Sequence, residues 1–136
     1  MTNDRRFLPG HDLRGYLINY PQEISFGDEP AEIVFDRYHV PDFVLYNDGF
    51  ALDREKLLAH VRPARKRASS IYVEVHDTLA EDDRVAARYT LRAVMRKGGT
   101  TVVTEIYLFG QVAADGRLQR VAQITRTLPA GGEQSE

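Results

Sequence analysis

Four long stretches in the second half of the chain read as β-strands, and turns join each to the next. Residues 71–79 lead into Glu81-Asp82-Asp83, residues 84–96 end at Lys97-Gly98-Gly99, residues 101–113 end at Ala114-Asp115-Gly116, and residues 117–128 follow. Strands joined in series by short turns predict an antiparallel sheet. Side chains two apart share a sheet face. Along 84–96, Val85, Ala87, Tyr89, Leu91 and Ala93 therefore oppose Arg88, Thr90, Arg92 and Arg96. Along 101–113 the pattern picks no face: Val103, Glu105, Tyr107 and Phe109 oppose Val102, Thr104, Ile106 and Leu108. Helices cover one face of such a sheet. The face carrying Ile106, Leu108 and Ile124 is expected to need a second cover, and a symmetric homodimer packed sheet to sheet supplies one.

The first half reads as helices. Leu13, Tyr16, Leu17 and Tyr20 fall at helical spacing, predicting a helix over 11–20 that stops before Pro21. A second is expected over 29–39, capped by Asp28, with Ile33, Val34 and Tyr38 facing inward. Phe43-Val44-Leu45-Tyr46 is a short strand closed by the turn Asn47-Asp48-Gly49. Asp53 caps a third helix bearing Leu57, Leu58 and Val61, which Pro63 kinks or ends. Helices followed by strands within 136 residues imply one α+β domain over 11–128. Residues 1–10 read as a flexible arm and 129–136 as a flexible tail.

Composition narrows the function. Eighteen Lys and Arg against 20 Asp and Glu give a net charge of −2, unlike the basic face of a nucleic-acid binder. With no cysteine, thiolate chemistry and Cys-ligated metal sites are excluded. No apolar run has membrane-spanning or signal-peptide length, so a cytoplasmic location without membrane attachment is the expectation. The histidines, His11, His39, His60 and His76, show no metal-ligand spacing. His39 with Asp42, or His76 with Asp77, reads as a solvated surface pair before it reads as a metal site, and no metal or cofactor is expected. Arg62-Pro63-Ala64-Arg65-Lys66-Arg67 is a cationic helix end rather than a phosphate site.

Several fragments carry a resemblance. They are Arg14-Gly15-Tyr16-Leu17, Pro41-Asp42-Phe43-Val44, the run from Asp83 to Leu91, the run from Thr101 to Phe109, and Asp115-Gly116-Arg117-Leu118. With the order of elements, they resemble the NTF2-like superfamily, in its SnoaL-like and ketosteroid-isomerase-like branch, over residues 11–128. The resemblance implies a cone-shaped, cystatin-like fold. Three N-terminal helices pack in the concave face of a curved antiparallel sheet around an apolar pocket, commonly in a homodimer. It also implies cofactor-independent proton-transfer chemistry on a small apolar carbonyl or phenolic molecule, as an isomerase, cyclase, dehydratase or lyase. A pocket that only binds a ligand is the alternative.

Ketosteroid isomerases use a carboxylate base with an oxyanion hole of a tyrosine and a protonated aspartic acid. By resemblance the tyrosine falls on Tyr16, which otherwise reads as a core residue. The base falls on Asn47 or Asp48, where a plain surface turn is the other reading. Asp48 is taken as the base, with Phe43, Phe50 and Phe109 as apolar walls. The second donor falls on Tyr107, a departure from the aspartic acid, and the acid of SnoaL cyclases falls on Arg126. Glu105 shares a face with Tyr107 and is either a second acid–base group or the partner of a strand arginine. Gln123 matches a pocket-facing glutamine of SnoaL-like chains. Tyr89, Leu91, Val121 and, if its strand turns it inward, His76 complete the expected lining.

Overall fold

The computed structural model describes residues 7–129. Three helices, α1 (Leu13–Phe26), α2 (Ala31–Tyr38) and α3 (Arg54–Arg67), pack against one curved sheet of six strands. The strands are β1 (His39–Asn47), β2 (Phe50–Asp53), β3 (Ala68–Glu81), β4 (Arg84–Met95), β5 (Thr101–Val112) and β6 (Leu118–Leu128), in spatial order β2-β1-β6-β5-β4-β3. This is the α+β cone expected. No helix among the described residues is long and apolar enough to cross a membrane.

The sheet is mixed rather than wholly antiparallel. Strands β3 to β6 pair antiparallel in series, as their hairpin turns dictate. Strand β1, reached from the helices, instead lies parallel to β6, with Leu45 opposite Val121 and Asn47 opposite Gln123. It also turns back through Asp48 and Gly49, both at positive φ, into the short strand β2, which the sequence reading lacked.

Pro21, expected to stop a helix, and Pro63, expected to kink or end one, both lie inside helices. Helix α1 starts on an Asp12 cap, whose carboxylate accepts from the Gly15 N–H, and runs through Pro21 to Phe26. A proline interior to a helix removes one backbone bond. Here the extra turn buries Ile24 and lets Arg65 Nε donate to its carbonyl at 2.7 Å, which offsets that loss. Helix α3, capped by Asp53, likewise passes Pro63. Helix α2 has Pro30 at its cap position with no side-chain cap bond, so Asp28 does not serve there. Its buried face is Val34, Phe35 and Tyr38, while Ile33 is exposed.

The face of β5 that sequence alternation left open is settled by register. Leu108 lies between Ala87 and Gln123, and Ile106 between Tyr89 and Thr125. Ile106 and Leu108 are therefore in the core with Val85, Ala87 and Tyr89, and not on the face needing a second cover. The outer face holds Leu79, Ala86, Phe109 and Ala122 in one cross-strand row, with Asp77, Arg88, Tyr107 and Ile124 in the next. Gly110 stands where a Cβ would meet Val85 at 3.0 Å and Leu118 at 3.2 Å, so the absent side chain lets these core groups close over the strand. Residues 7–10 of the expected arm are attached to the fold. Leu8 and Pro9 are buried, and the Gly10 N–H donates to the Gly116 carbonyl at 2.8 Å. Residues 1–6 of that arm and 130–136 of the tail lie outside the described residues.

Candidate functional site

A half-open cavity of about 220 Å³ lies between the helices and the concave sheet face. Its walls are apolar and aromatic, and its polar groups are Tyr16, Tyr20, His39, Tyr89 and Gln123. Among the described residues no Asp, Glu, Lys or Arg lines it.

At its centre the Tyr16 hydroxyl meets His39 Nε2 at 2.7 Å. His39 is the residue at which α2 gives way to β1, so its ring is aimed by two rigid elements. The Phe35 carbonyl accepts both the His39 backbone N–H and, at 2.8 Å, Nδ1. A carbonyl only accepts, so Nδ1 carries a proton. Burial pushes His39 down from 6.5 to about 4, more than offsetting the Phe35 carbonyl and Asp36, which favour its charged form; Arg117 adds to the lowering. The ring is therefore neutral, Nε2 is a bare acceptor, and Tyr16 donates to it. The Arg117 guanidinium braces the same junction by donating to the carbonyls of Asp36 and His39.

The phenols are held protonated. Burial, with the neighbouring Tyr20, Tyr89 and Tyr38 hydroxyls, raises Tyr16 well above the ordinary tyrosine range. Burial also raises Tyr89, and burial with Tyr38 raises Tyr20. All three are donors at any ordinary pH. The rings of Tyr16 and Tyr20 stack at 5.3 Å, and Phe35 stacks on His39 at 4.3 Å. At the β1–β6 rim, Gln123 Nε2 donates to Asn47 Oδ1 at 3.0 Å.

The expected residues divide sharply. Tyr16, Phe43, Tyr89, Val121 and Gln123 line the cavity, and Asn47 stands next to Gln123. Leu91 packs on the core without lining it. Asp48 is fully exposed in the β1–β2 turn, where its carboxylate accepts from the N–H and hydroxyl of Thr125. Those bonds lower its pKa, opposite to the raising that an apolar pocket would give. Phe50 is exposed on β2. Glu105, Tyr107 and Phe109 point to the outer face, opposite the cavity, because β5 presents Ile106 and Leu108 inward. Glu105 there accepts from Arg126 Nη2 at 2.7 Å, so the strand-arginine reading describes it. His76 sits at a β-bulge between Val75 and Asp77 and pairs with Thr90 at 2.7 Å, away from the cavity.

Sequence reasoning missed His39 and Tyr20. The helical spacing of Tyr16 and Tyr20 already placed Tyr20 beside the chosen tyrosine. His39 carried a weaker signal, a histidine just before Val40-Pro41 at the end of an amphipathic helix. Among the described residues no three His, Cys, Asp or Glu side chains gather to hold a metal.

A family model described as "SnoaL-like domain" matches residues 31–121. No curated protein sequence matches the chain. Among solved structures, AclR from Streptomyces galilaeus is 18% identical, with a TM-score of 0.63, covering 79% of this chain and 82% of its own. IdmH from Streptomyces antibioticus is 20% identical, with a TM-score of 0.58, covering 78% and 84%. A protein of Acidithiobacillus ferrooxidans is 19% identical, with a TM-score of 0.62, covering 85% and 87%. At these identities the likeness is one of fold.

Proposed function

This chain belongs to the SnoaL-like domain family, and from that premise we propose that its cavity is the active site of a cofactor-independent enzyme acting by proton transfer on a small carbonyl compound. The observation that carries the proposal is the Tyr16–His39 hydrogen bond of 2.7 Å, with its proton direction fixed, in an otherwise apolar hollow. Two of the similar structures are provisionally described as polyketide cyclases and one as a hydroxylase, which agrees with small-molecule chemistry in this fold.

The substrate carbonyl oxygen accepts from Tyr16 and Tyr89, which both line the cavity. As Tyr16 turns its proton from His39 to that oxygen, the Nε2 lone pair is released. Nε2 then takes the proton from the carbon beside the carbonyl, and the two phenols hold the enolate oxygen. Each such donor is worth roughly 10²–10³ in rate. The imidazolium returns its proton at another carbon for isomerisation, or after the enolate has closed a ring or expelled a leaving group. A base with a pKa of about 4 is weak, so the substrate C–H must be acidified by a second carbonyl or a conjugated ring.

The test is loss of deuterium from a 1,3-diketone labelled between its carbonyls, followed by NMR in buffered water. The protein is expected to accelerate exchange, and Tyr16→Phe and His39→Gln each to reduce the acceleration about 100-fold. Unchanged rates in both variants would sink the proposal. A second reading, a ligand-binding domain without catalysis, is favoured by a lining that holds no carboxylate among the described residues; it predicts binding of the diketone with no acceleration in any variant.

A homodimer through the outer sheet face belongs to the same reading. Leu79, Phe109 and Ile124 are exposed there, while the nearby charges Asp77 and Arg88 pair with each other within the chain.

A further inference from the structure

We infer that the cavity selects an uncharged aromatic ring with a carbonyl at one end and a hydroxyl at the other, the hydroxyl donating to the Gln123 side-chain oxygen, and that it rejects carboxylates. This rests on the reading of Tyr16 and Tyr89 as the carbonyl-binding pair.

The Gln123 amide is the basis for the hydroxyl end. Gln123 occupies an inner cross-strand row between Asn47 of β1 and Leu108 of β5. Its Nε2 is committed to Asn47 Oδ1, and its Oε1 has no hydrogen-bond partner among the described residues. The cavity's other bare acceptor, His39 Nε2, stands at the carbonyl end beside Tyr16, on a residue paired with Leu118, so at the Gln123 end of β6 that amide oxygen is the side-chain acceptor offered to a hydroxyl. Asn47 is a positioning residue: by taking the Gln123 N–H it leaves the amide oxygen of this cavity-lining side chain uncommitted.

Size and shape fit one ring. Tyr89 and Gln123 lie on β4 and β6, two strand spacings across the sheet and two residues along it, or roughly 12 Å apart. An apolar cavity of about 150 Å³ takes one benzene. The 220 Å³ here leaves room for a substituent at each end. The walls are flat rings, with Phe35 and Phe43 meeting edge to face at 5.9 Å.

Charge selection follows from the lining. An anion entering this cavity would lose its hydration and find no cation among the described lining residues. Neutral phenols donate hydrogen bonds equally to a ketone, which brings far less hydration to lose.

Calorimetric titration at pH 6.5 with 4-hydroxyacetophenone, acetophenone and 4-hydroxybenzoate tests this. The hydroxyketone is expected to bind at least 10-fold more tightly than the benzoate and about 5-fold more tightly than acetophenone. The second preference, read as the ratio of the two affinities within each protein, should vanish in Gln123→Leu and shrink in Asn47→Ala. A melting scan verifies that each variant is folded, and the two variants give independent readings. Equal binding of the benzoate, a hydroxyl preference that survives in both variants, or no binding of any probe at millimolar concentration would overturn the inference. If the selectivity holds but deuterium exchange is not accelerated, the catalytic proposal alone falls.

Discussion

The Asp48 carboxylate accepts from Thr125 twice, from its backbone N–H at 2.9 Å and its hydroxyl at 2.6 Å. This clamps the β1–β2 turn to β6. Both oxygens are engaged at the rim of the sheet, and the residue stands fully exposed rather than in the cavity. The carboxylate therefore holds a turn. Asp48 also sits at a φ of 51°, a region asparagine tolerates well. Asp48→Asn is accordingly expected to keep exchange activity within about threefold of the parent, where Tyr16→Phe loses about 100-fold. Steady-state rates on one substrate compare the two, and a loss in Asp48→Asn as large as that in Tyr16→Phe would return the base to the turn.

His39 makes stability depend on pH. Its folded pKa of about 4 lies below the ordinary 6.5, so between those values the unfolded chain binds a proton that the folded chain refuses. Stability from this group is complete above pH 6.5 and declines as the pH falls toward 4, by about 3 kcal/mol in all. His39→Gln should flatten that slope. Urea unfolding of both proteins at several pH values from 7 to 4 measures the difference, and parallel curves would contradict it.

Phe35 is almost fully buried, stacks on His39 and packs edge to face on Phe43. Phe35→Ala should cost about 3–5 kcal/mol, and roughly 10 °C or more in melting temperature. Exchange activity should fall with it, because the His39 ring loses the surface that fixes its plane. Thermal melting and activity of the same preparation test both effects.

The outer face tests association. Phe109 is 72% exposed and Ile124 65% exposed, in adjacent cross-strand rows beside Leu79. Phe109→Glu combined with Ile124→Lys should convert the proposed homodimer to monomer, with little change in monomer stability because neither side chain contributes to the core cluster. Sedimentation equilibrium gives the mass. A parent chain that is already monomeric at micromolar concentration would remove the dimer from the reading.

Local chemistry determined a good deal of this protein. The Asp12 and Asp53 caps are local, as are the turns at Asn47-Asp48-Gly49 and Ala114-Asp115-Gly116 and the inward set Val85, Ala87, Tyr89 and Leu91 on β4, because each depends on a few neighbouring residues. The α+β order followed from them, whereas Tyr16 and Gln123 as cavity residues came from the SnoaL-like resemblance of longer fragments. Tertiary structure decided what two-residue periodicity leaves degenerate. Strand β5 is apolar on both faces, so only its pairing with β4 and β6 sends Ile106 and Leu108 inward and Glu105, Tyr107 and Phe109 outward. Likewise no spacing rule connects Tyr16 to His39, 23 residues away. Their bond exists because α1 and the α2–β1 junction meet over the concave sheet, where burial keeps the imidazole neutral and one backbone carbonyl chooses which nitrogen bears its proton.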